Sequence, residues 1–85
     1  MAEIEMYTKG FCPYCIAAKC LLKKKSLAFK EVPIDRNPGL RAEMIERSGG
    51  NTVPQIFING DSIGGYSEMS SLEQSGQLDL LLATG

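Results

Sequence analysis

The stretch KGFCPYC, residues 9–15, decides the fold, because it places two cysteines three positions apart between two different kinds of segment. Residues 4–8 before it form an apolar, strand-like run, and residues 16–25 after it have the periodicity of a helix. Pro13 suits the first position of a helix, where its missing N–H is no loss. Cys12 is therefore predicted to be the N-cap, with its sulfur near the free N–H groups of the first turn.

The predicted position of Cys12 favours redox chemistry. Free backbone N–H groups and the positive end of the helix dipole stabilise a thiolate. Cys15 lies one turn further along on the same face, close enough to form a disulfide with Cys12. An activated sulfur with a second thiol beside it is the arrangement that dithiol–disulfide exchange requires.

Two other roles for the cysteine pair stay open from the residues alone. Two cysteines at this spacing can be half of a zinc site, but the sequence has no histidine and only one further cysteine, Cys20. Oxygen ligands or a second chain would have to complete such a site. The pair can also be a structural disulfide. Its position between a strand and a helix favours the redox pair over both.

The composition is that of one ordinary domain, residues 1–85, with 44% apolar residues and a net charge of −1. This charge indicates neither nucleic-acid binding nor an acidic tail. Three cysteines argue against a secreted disulfide scaffold, and no long apolar stretch indicates a signal peptide or a membrane span. We therefore expect a cytoplasmic protein that binds neither nucleic acid nor membrane.

Hydrophobic periodicity and turn signals predict an α/β fold with the order β-α-β-α-β-β-α and a short final helix. A helical link of about twenty residues between the first two strands makes them parallel, with a right-handed crossover. The result is a four-stranded mixed sheet flanked by helices. The strands are predicted at 3–8, 29–32, 54–58 and 61–63, and the helices at 13–25, 38–48, 67–74 and 78–82.

Three details of packing are also predicted. The polar and apolar alternation of residues 3–8 indicates a strand near a sheet edge. Ile16 and Cys20 are placed together on the buried side of the first helix, so Cys20 is interpreted as a small core residue. Tyr7 and Phe11 are interpreted as packing residues.

Three motifs along the chain resemble those of one family. CPYC at 12–15, TVP at 52–54 and GG at 64–65 resemble the glutaredoxins, specifically the small bacterial dithiol type, over essentially the whole length. The resemblance implies a thioredoxin-like fold and a glutathione-dependent oxidoreductase that reduces protein disulfides and glutathione mixed disulfides. Glutathione would be the reductant, recycled by glutathione reductase and NADPH, with no metal, and the protein would be a monomer. Cys12 would be the nucleophile and Cys15 the resolving thiol.

The resemblance also implies a set of glutathione-binding residues. Lys9 and Arg41 would contact the glycine carboxylate. A cis Val53–Pro54 bond would turn the Val53 backbone toward an extended peptide. The full set is Lys9, Tyr14, Arg41, Thr52, Val53, Pro54, Gly65, Ser67 and Glu68.

The γ-glutamyl end of the implied site departs from the family pattern. Gly65 and the N–H groups of Ser67 and Glu68 would bind the γ-glutamyl carboxylate at a helix N-terminus. Glutaredoxins commonly have a variable residue and two aspartates after the glycine pair, and this chain has Tyr66-Ser67-Glu68. Ser67 lacks the negative charge, and Glu68 carries it on a longer arm.

Two other functions compete with this one. A thioredoxin-like protein recycled by a flavoprotein reductase shares the cysteine motif, but Lys9, Thr52 and Gly65 argue against it. An iron–sulfur carrier would bridge a cluster between two subunits through Cys12 and glutathione. Pro13 disfavours that function, because glutaredoxins that hold clusters usually lack the CPYC form.

Overall fold

The computed structural model describes residues 2–83 and contains four strands and four helices in the predicted order. The short final helix is present. In chain order the elements are β1 (Ile4–Thr8), α1 (Pro13–Lys24), β2 (Lys30–Pro33), α2 (Pro38–Ser48), β3 (Gln55–Ile58), β4 (Asp61–Gly64), α3 (Tyr66–Gln74) and α4 (Gln77–Ala83).

The four strands form one mixed sheet in the order β2-β1-β3-β4. β1 is parallel to β2 and antiparallel to β3, and β3 is antiparallel to β4. The parallel β1–α1–β2 unit is therefore confirmed. Asn59 and Gly60, with φ of 53° and 87°, make the predicted tight turn between β3 and β4.

β1 lies inside the sheet, so its predicted position near an edge is wrong. The polar and apolar side chains of β1 alternate because the two faces of the strand meet different parts of the protein, not because one face meets water. On the face that helix α2 covers, the Tyr7 hydroxyl donates to Glu43 at 2.7 Å and accepts from Arg47 at 2.8 Å. Arg47 also pairs with Glu5 at 3.2 Å. Helix α2 thus supplies polar partners to Glu5 and Tyr7 on this face of the strand.

Two apolar clusters cover the two faces of the sheet. The larger cluster joins β1 and β3 to α1, α3 and α4, and its buried members are Ile4, Met6, Ala18, Leu22, Ile56, Ile58, Met69 and Leu78. The smaller cluster lies between the sheet and α2, with Tyr7, Ile34, Met44 and Phe57 buried. Helices therefore flank both faces, as predicted.

The buried face of α1 differs from the predicted one. Cys15, Ala18 and Leu22 are buried, whereas Ile16 is 55% exposed and Cys20 is exposed. At about 100° per residue, the three buried positions define one stripe, and Cys20 falls well outside it. The interpretation of Cys20 as a core residue is therefore wrong, because the burial of Cys15 fixes the rotation of the helix.

Polar contacts and one leucine attach α4 to the rest of the fold. Lys25, at the end of α1, contacts Glu73 of α3 at 2.8 Å and Asp79 of α4 at 2.7 Å. Leu78 is fully buried in the larger cluster. Apolar burial outweighs exposed ion pairs in free energy, so Leu78 is the main attachment of this helix.

We expect Leu78→Ala to lower the free energy of unfolding by about 2–5 kcal/mol, the range for truncating a buried leucine. The matched control is Leu80→Ala, because Leu80 lies in the same helix and is 67% exposed. The control should change stability by no more than about 0.5 kcal/mol. Urea unfolding followed by circular dichroism measures both, and equal effects would show that α4 is not docked through Leu78.

Candidate active site

The Cys12 sulfur lies at the N-terminus of α1, as predicted. Cys12 is the N-cap, Pro13 opens the helix, and the Cys12 Sγ accepts the Cys15 backbone N–H at 3.3 Å. The same sulfur lies 3.7 Å from the Val53 carbonyl oxygen. Cys12 is only partly buried. A backbone N–H donor stabilises a thiolate, and partial exposure lets a disulfide reach the sulfur. Both features suit a nucleophilic cysteine.

Cys15 occupies a different environment one turn away. It is only 1% exposed. Burial, and then the hydrogen bond between the Cys15 and Cys12 side chains, raise the pKa of the Cys15 thiol to about 11, and the Lys9 backbone N–H opposes this rise. Cys15 therefore stays protonated at neutral pH. The arrangement suits a reaction in which Cys12 attacks first and Cys15 acts later.

The loop before Cys12 is held by a residue that the sequence patterns did not indicate. The Gly10 N–H donates to both carboxylate oxygens of Asp35, at 3.0 and 2.9 Å. A carboxylate just after a strand gives no local sign of this long-range contact. Phe11 in the same loop has a φ of 56° and is fully exposed, so its interpretation as a packing residue is wrong. Tyr7 is buried, as expected.

A cavity of about 360 Å³ is bordered by Val53, whose carbonyl oxygen lies near the Cys12 sulfur. The Val53–Pro54 peptide bond is cis. The cavity brings together seven of the predicted glutathione-binding residues and adds Tyr66. Its lining residues are Tyr14, Thr52, Val53, Pro54, Gly65, Tyr66, Ser67 and Glu68.

Two predicted binding residues lie outside this cavity. Lys9 borders a second cavity of about 480 Å³, together with Phe11 and Asp35. Arg41 is exposed on α2. Among the described residues, neither Lys9 nor Arg41 lines the cavity beside Val53. Their contact with a ligand carboxylate stays a prediction.

Glu68 caps its own helix. Gly65 is the N-cap of α3, and its N–H donates to the Glu68 Oε1 at 2.7 Å. The Glu68 side chain lies over Gly64, where an added Cβ would come within 2.8 Å of that oxygen. Gly64 also has a φ of 108°, which only glycine adopts without strain. One oxygen of the expected ligand-binding carboxylate is therefore already used within the protein.

Tyr66 is a site residue that the sequence interpretation missed. Its ring stacks on that of Tyr14, with the centroids 6.2 Å apart and the planes 29° from parallel. Both rings border the cavity. An aromatic residue directly after the Gly64-Gly65 pair was the signal that could have indicated it.

A thioredoxin-like sheet, a CxxC pair at the start of the first helix and a cis-proline loop facing it define a class of protein, the dithiol oxidoreductases of the thioredoxin fold. Comparison with known sequences narrows the class. The glutaredoxin family model matches residues 4–63. Glutaredoxin 3 of Escherichia coli K12 is 54% identical over 82 residues, covering 96% of this chain and 99% of that protein. A Pseudomonas aeruginosa glutaredoxin is 45% identical over 83 residues, covering 98% and 99%.

Solved structures of glutaredoxins have the same fold as this chain. The solution structure of a glutaredoxin from Brucella melitensis has a TM-score of 0.85 at 49% identity, over 96% of this chain and 89% of that one. A buckwheat glutaredoxin–glutathione complex has a TM-score of 0.89 over 98% and 78% of the two chains, but at 24% identity it shows the fold alone. This chain belongs to the glutaredoxin family and is a glutathione-dependent thiol–disulfide oxidoreductase.

Within residues 2–83, no group of three or more histidine, cysteine, aspartate or glutamate side chains is placed to hold a metal ion. No helix in the same range has the length and apolar character needed to cross a membrane.

We expect Cys15 in the reduced protein to resist alkylation until the pH approaches about 11, because only the thiolate reacts and burial raises the pKa of this thiol. Initial rates with limiting iodoacetamide, mapped by mass spectrometry from pH 6 to 11, measure each cysteine separately. Exposed Cys20 provides the internal reference. If Cys15 were alkylated as fast as Cys20 at pH 8, the raised pKa of the Cys15 thiol would be contradicted.

Proposed function

We propose that this chain acts as one domain in the cytoplasm, where it reduces glutathione mixed disulfides and protein disulfides with glutathione as the electron donor. The observation that supports this most is the position of the Cys12 sulfur. It lies at a helix N-terminus and 3.7 Å from the Val53 carbonyl, beside the cavity that collects most of the predicted glutathione-binding residues.

In the reaction with a glutathione mixed disulfide, the Cys12 thiolate attacks the glutathione sulfur. A Cys12–glutathione disulfide forms, and the substrate leaves as a thiolate that takes up a proton. A second glutathione thiolate then attacks the bound glutathione sulfur. This step frees Cys12 and produces oxidised glutathione, which glutathione reductase returns to glutathione with NADPH.

In the reaction with a protein disulfide, the first attack leaves Cys12 joined to a protein thiol. Cys15, one turn away, loses its proton and attacks the Cys12 sulfur, which releases the reduced protein. The Cys12–Cys15 disulfide is then reduced by two glutathiones, with one molecule of oxidised glutathione as the product.

The glutathione moiety would lie extended across the cavity. The Val53 backbone would pair with the peptide, with Thr52 and Pro54 beside it and Tyr14 packing on its side. The N–H groups of Ser67 and Glu68 would receive the γ-glutamyl carboxylate at the start of α3. Lys9 and Arg41 would serve the glycine carboxylate at the other end.

The proposed partners follow from this chemistry. They are glutathione, disulfide-containing or glutathionylated proteins and, indirectly, the glutathione reductase system. The net charge of −1 gives no attraction to nucleic acid or acidic membrane surfaces. We propose a monomer that requires no metal.

One assay tests the proposal against its alternatives. Wild-type protein should reduce a small glutathione mixed disulfide with glutathione, coupled to glutathione reductase and NADPH oxidation. Turnover with a flavoprotein thioredoxin reductase instead of glutathione would favour the thioredoxin-like alternative. Visible absorption bands after anaerobic reconstitution with iron and sulfide would favour the iron–sulfur carrier.

We expect Cys15→Ser to keep much of the activity toward glutathionylated substrates and to lose most activity toward protein disulfides, because only the second reaction needs an internal thiol. A glutathione adduct should accumulate on Cys12, measured as a mass shift. The matched control is Cys20→Ser, which removes an exposed thiol and should change neither activity. Equal loss on both substrate classes in folded protein would exclude the proposed mechanism.

We expect Glu68→Gln to raise KM for a glutathione mixed disulfide by roughly twofold to fivefold at low salt, in line with a partly exposed ion pair. The glutamine oxygen can still accept the Gly65 N–H, so the helix cap persists while the charge facing the γ-glutamyl ammonium is lost. Added salt should narrow the difference from wild type because it screens the charge. An unchanged KM at low salt would show that Glu68 serves only as a cap.

A further inference from the structure

Tyr14 and Tyr66 form a stacked pair that comes from two separate parts of the chain. Tyr14 lies in the first turn of α1, between the two cysteines, and Tyr66 is the first residue of α3. Their centroid separation of 6.2 Å and angle of 29° fall in the range of favourable offset stacking. The stack therefore links the helix that carries the reactive sulfur to the helix whose N-terminus borders the cavity.

The two rings are held to different extents by the protein. Tyr14 is 63% exposed, so most of its side chain lies outside the packed interior. Tyr66 is partly buried and packs against the larger apolar cluster. The ring anchored on the core thus supports the ring that is largely exposed.

We propose that Tyr66 is a positioning residue for the glutathionyl group, because it holds the Tyr14 ring at the cavity wall before the ligand binds. This inference rests on the proposed function, in which Tyr14 packs against the bound tripeptide. Fixing a mobile side chain on binding costs free energy, and a wall formed in advance avoids that cost. Tyr66 thereby acts on the ligand through Tyr14.

Such a role affects binding and not chemistry. Neither the Tyr66 ring nor the stack takes part in sulfur exchange, so the pair stabilises ground state and transition state alike. Loss of uniform binding raises KM and leaves kcat unchanged. The size of the effect follows from the strength of an aromatic pair, which corresponds to about a threefold to tenfold change in KM.

The test is a pair of substitutions at Tyr66. Tyr66→Phe keeps the ring and should keep the wild-type KM for a glutathione mixed disulfide. Tyr66→Leu keeps apolar bulk against the core but loses the ring, and should raise KM by about threefold to tenfold with kcat unchanged. The Kd of S-methylglutathione, an unreactive probe, should rise by the same factor in calorimetry. A wild-type KM in Tyr66→Leu would overturn the inference.

A double-mutant cycle separates positioning from direct contact. If Tyr66 acts through Tyr14, Tyr14→Leu and the double variant should have the same KM. If the two substitutions raised KM independently, so that the double variant had the product of both increases, Tyr66 would contact the ligand itself, and the positioning role would be overturned. If instead wild-type protein failed to turn over any glutathione mixed disulfide, the proposed function would fail first.

The matched control for stability is Phe29→Leu. Phe29 also packs against the larger apolar cluster, but it borders a different cavity, with Glu3 and Lys30. The same ring-to-leucine change there should lower the melting temperature and leave KM unchanged. If Phe29→Leu raised KM as much as Tyr66→Leu, the rise in KM would come from a general loss of stability, and the positioning role of Tyr66 would be contradicted.

Discussion

The hydrogen bond from the Cys15 backbone N–H to the Cys12 sulfur, 3.3 Å long, is the contact on which the function of this fold depends. This hydrogen bond forms because Cys12 is an N-cap with extended backbone. Pro13 can begin the helix because a backbone N–H at the first helical position would have no partner within the helix. The helix is held in place by Ala18 and Leu22, which pack on the same sheet face as Ile56 of β3. That shared face explains why the segment leading into β3 arrives beside the sulfur, with the Val53 carbonyl 3.7 Å away.

Burial is the main difference between the Cys12 and Cys15 thiols, which are chemically identical and lie one helical turn apart. Cys12 is partly open to solvent, while Cys15 is enclosed and its pKa is raised to about 11. The second cause of the raised pKa is the hydrogen bond between the two cysteine side chains, and the charge at Cys12 raises it further. When Cys12 enters a mixed disulfide it no longer carries that charge, so part of the barrier to deprotonating Cys15 is removed. In the proposed mechanism, the raised pKa therefore keeps Cys15 protonated until Cys12 has formed the disulfide that Cys15 would attack.

Local patterns predicted what depends on local chemistry. The element order, the N-cap at Cys12 and the turn at Asn59 follow from neighbouring residues. The errors and omissions concern contacts between distant segments. The alternation of β1 predicts a position near a sheet edge, since nothing local shows that α2 covers the other face of the strand. The apolar residue four positions before Cys20 predicts burial, but it does not fix the rotation of the helix. The Gly10–Asp35 and Tyr14–Tyr66 contacts join segments whose meeting only the folded chain determines.

The Ser67-Glu68 departure from the family pattern has a physical consequence that the folded chain makes visible. The longer arm of Glu68 reaches back to the Gly65 N–H and lies over Gly64, where no side chain fits. One backbone donor at the start of α3 is thus satisfied within the protein, and a fixed negative charge stays at that end of the cavity. A ligand carboxylate arriving there meets fewer free N–H groups and a like charge. In the proposed complex, the site would favour a ligand whose carboxylate is accompanied by an ammonium group, since the ammonium would offset the repulsion from Glu68.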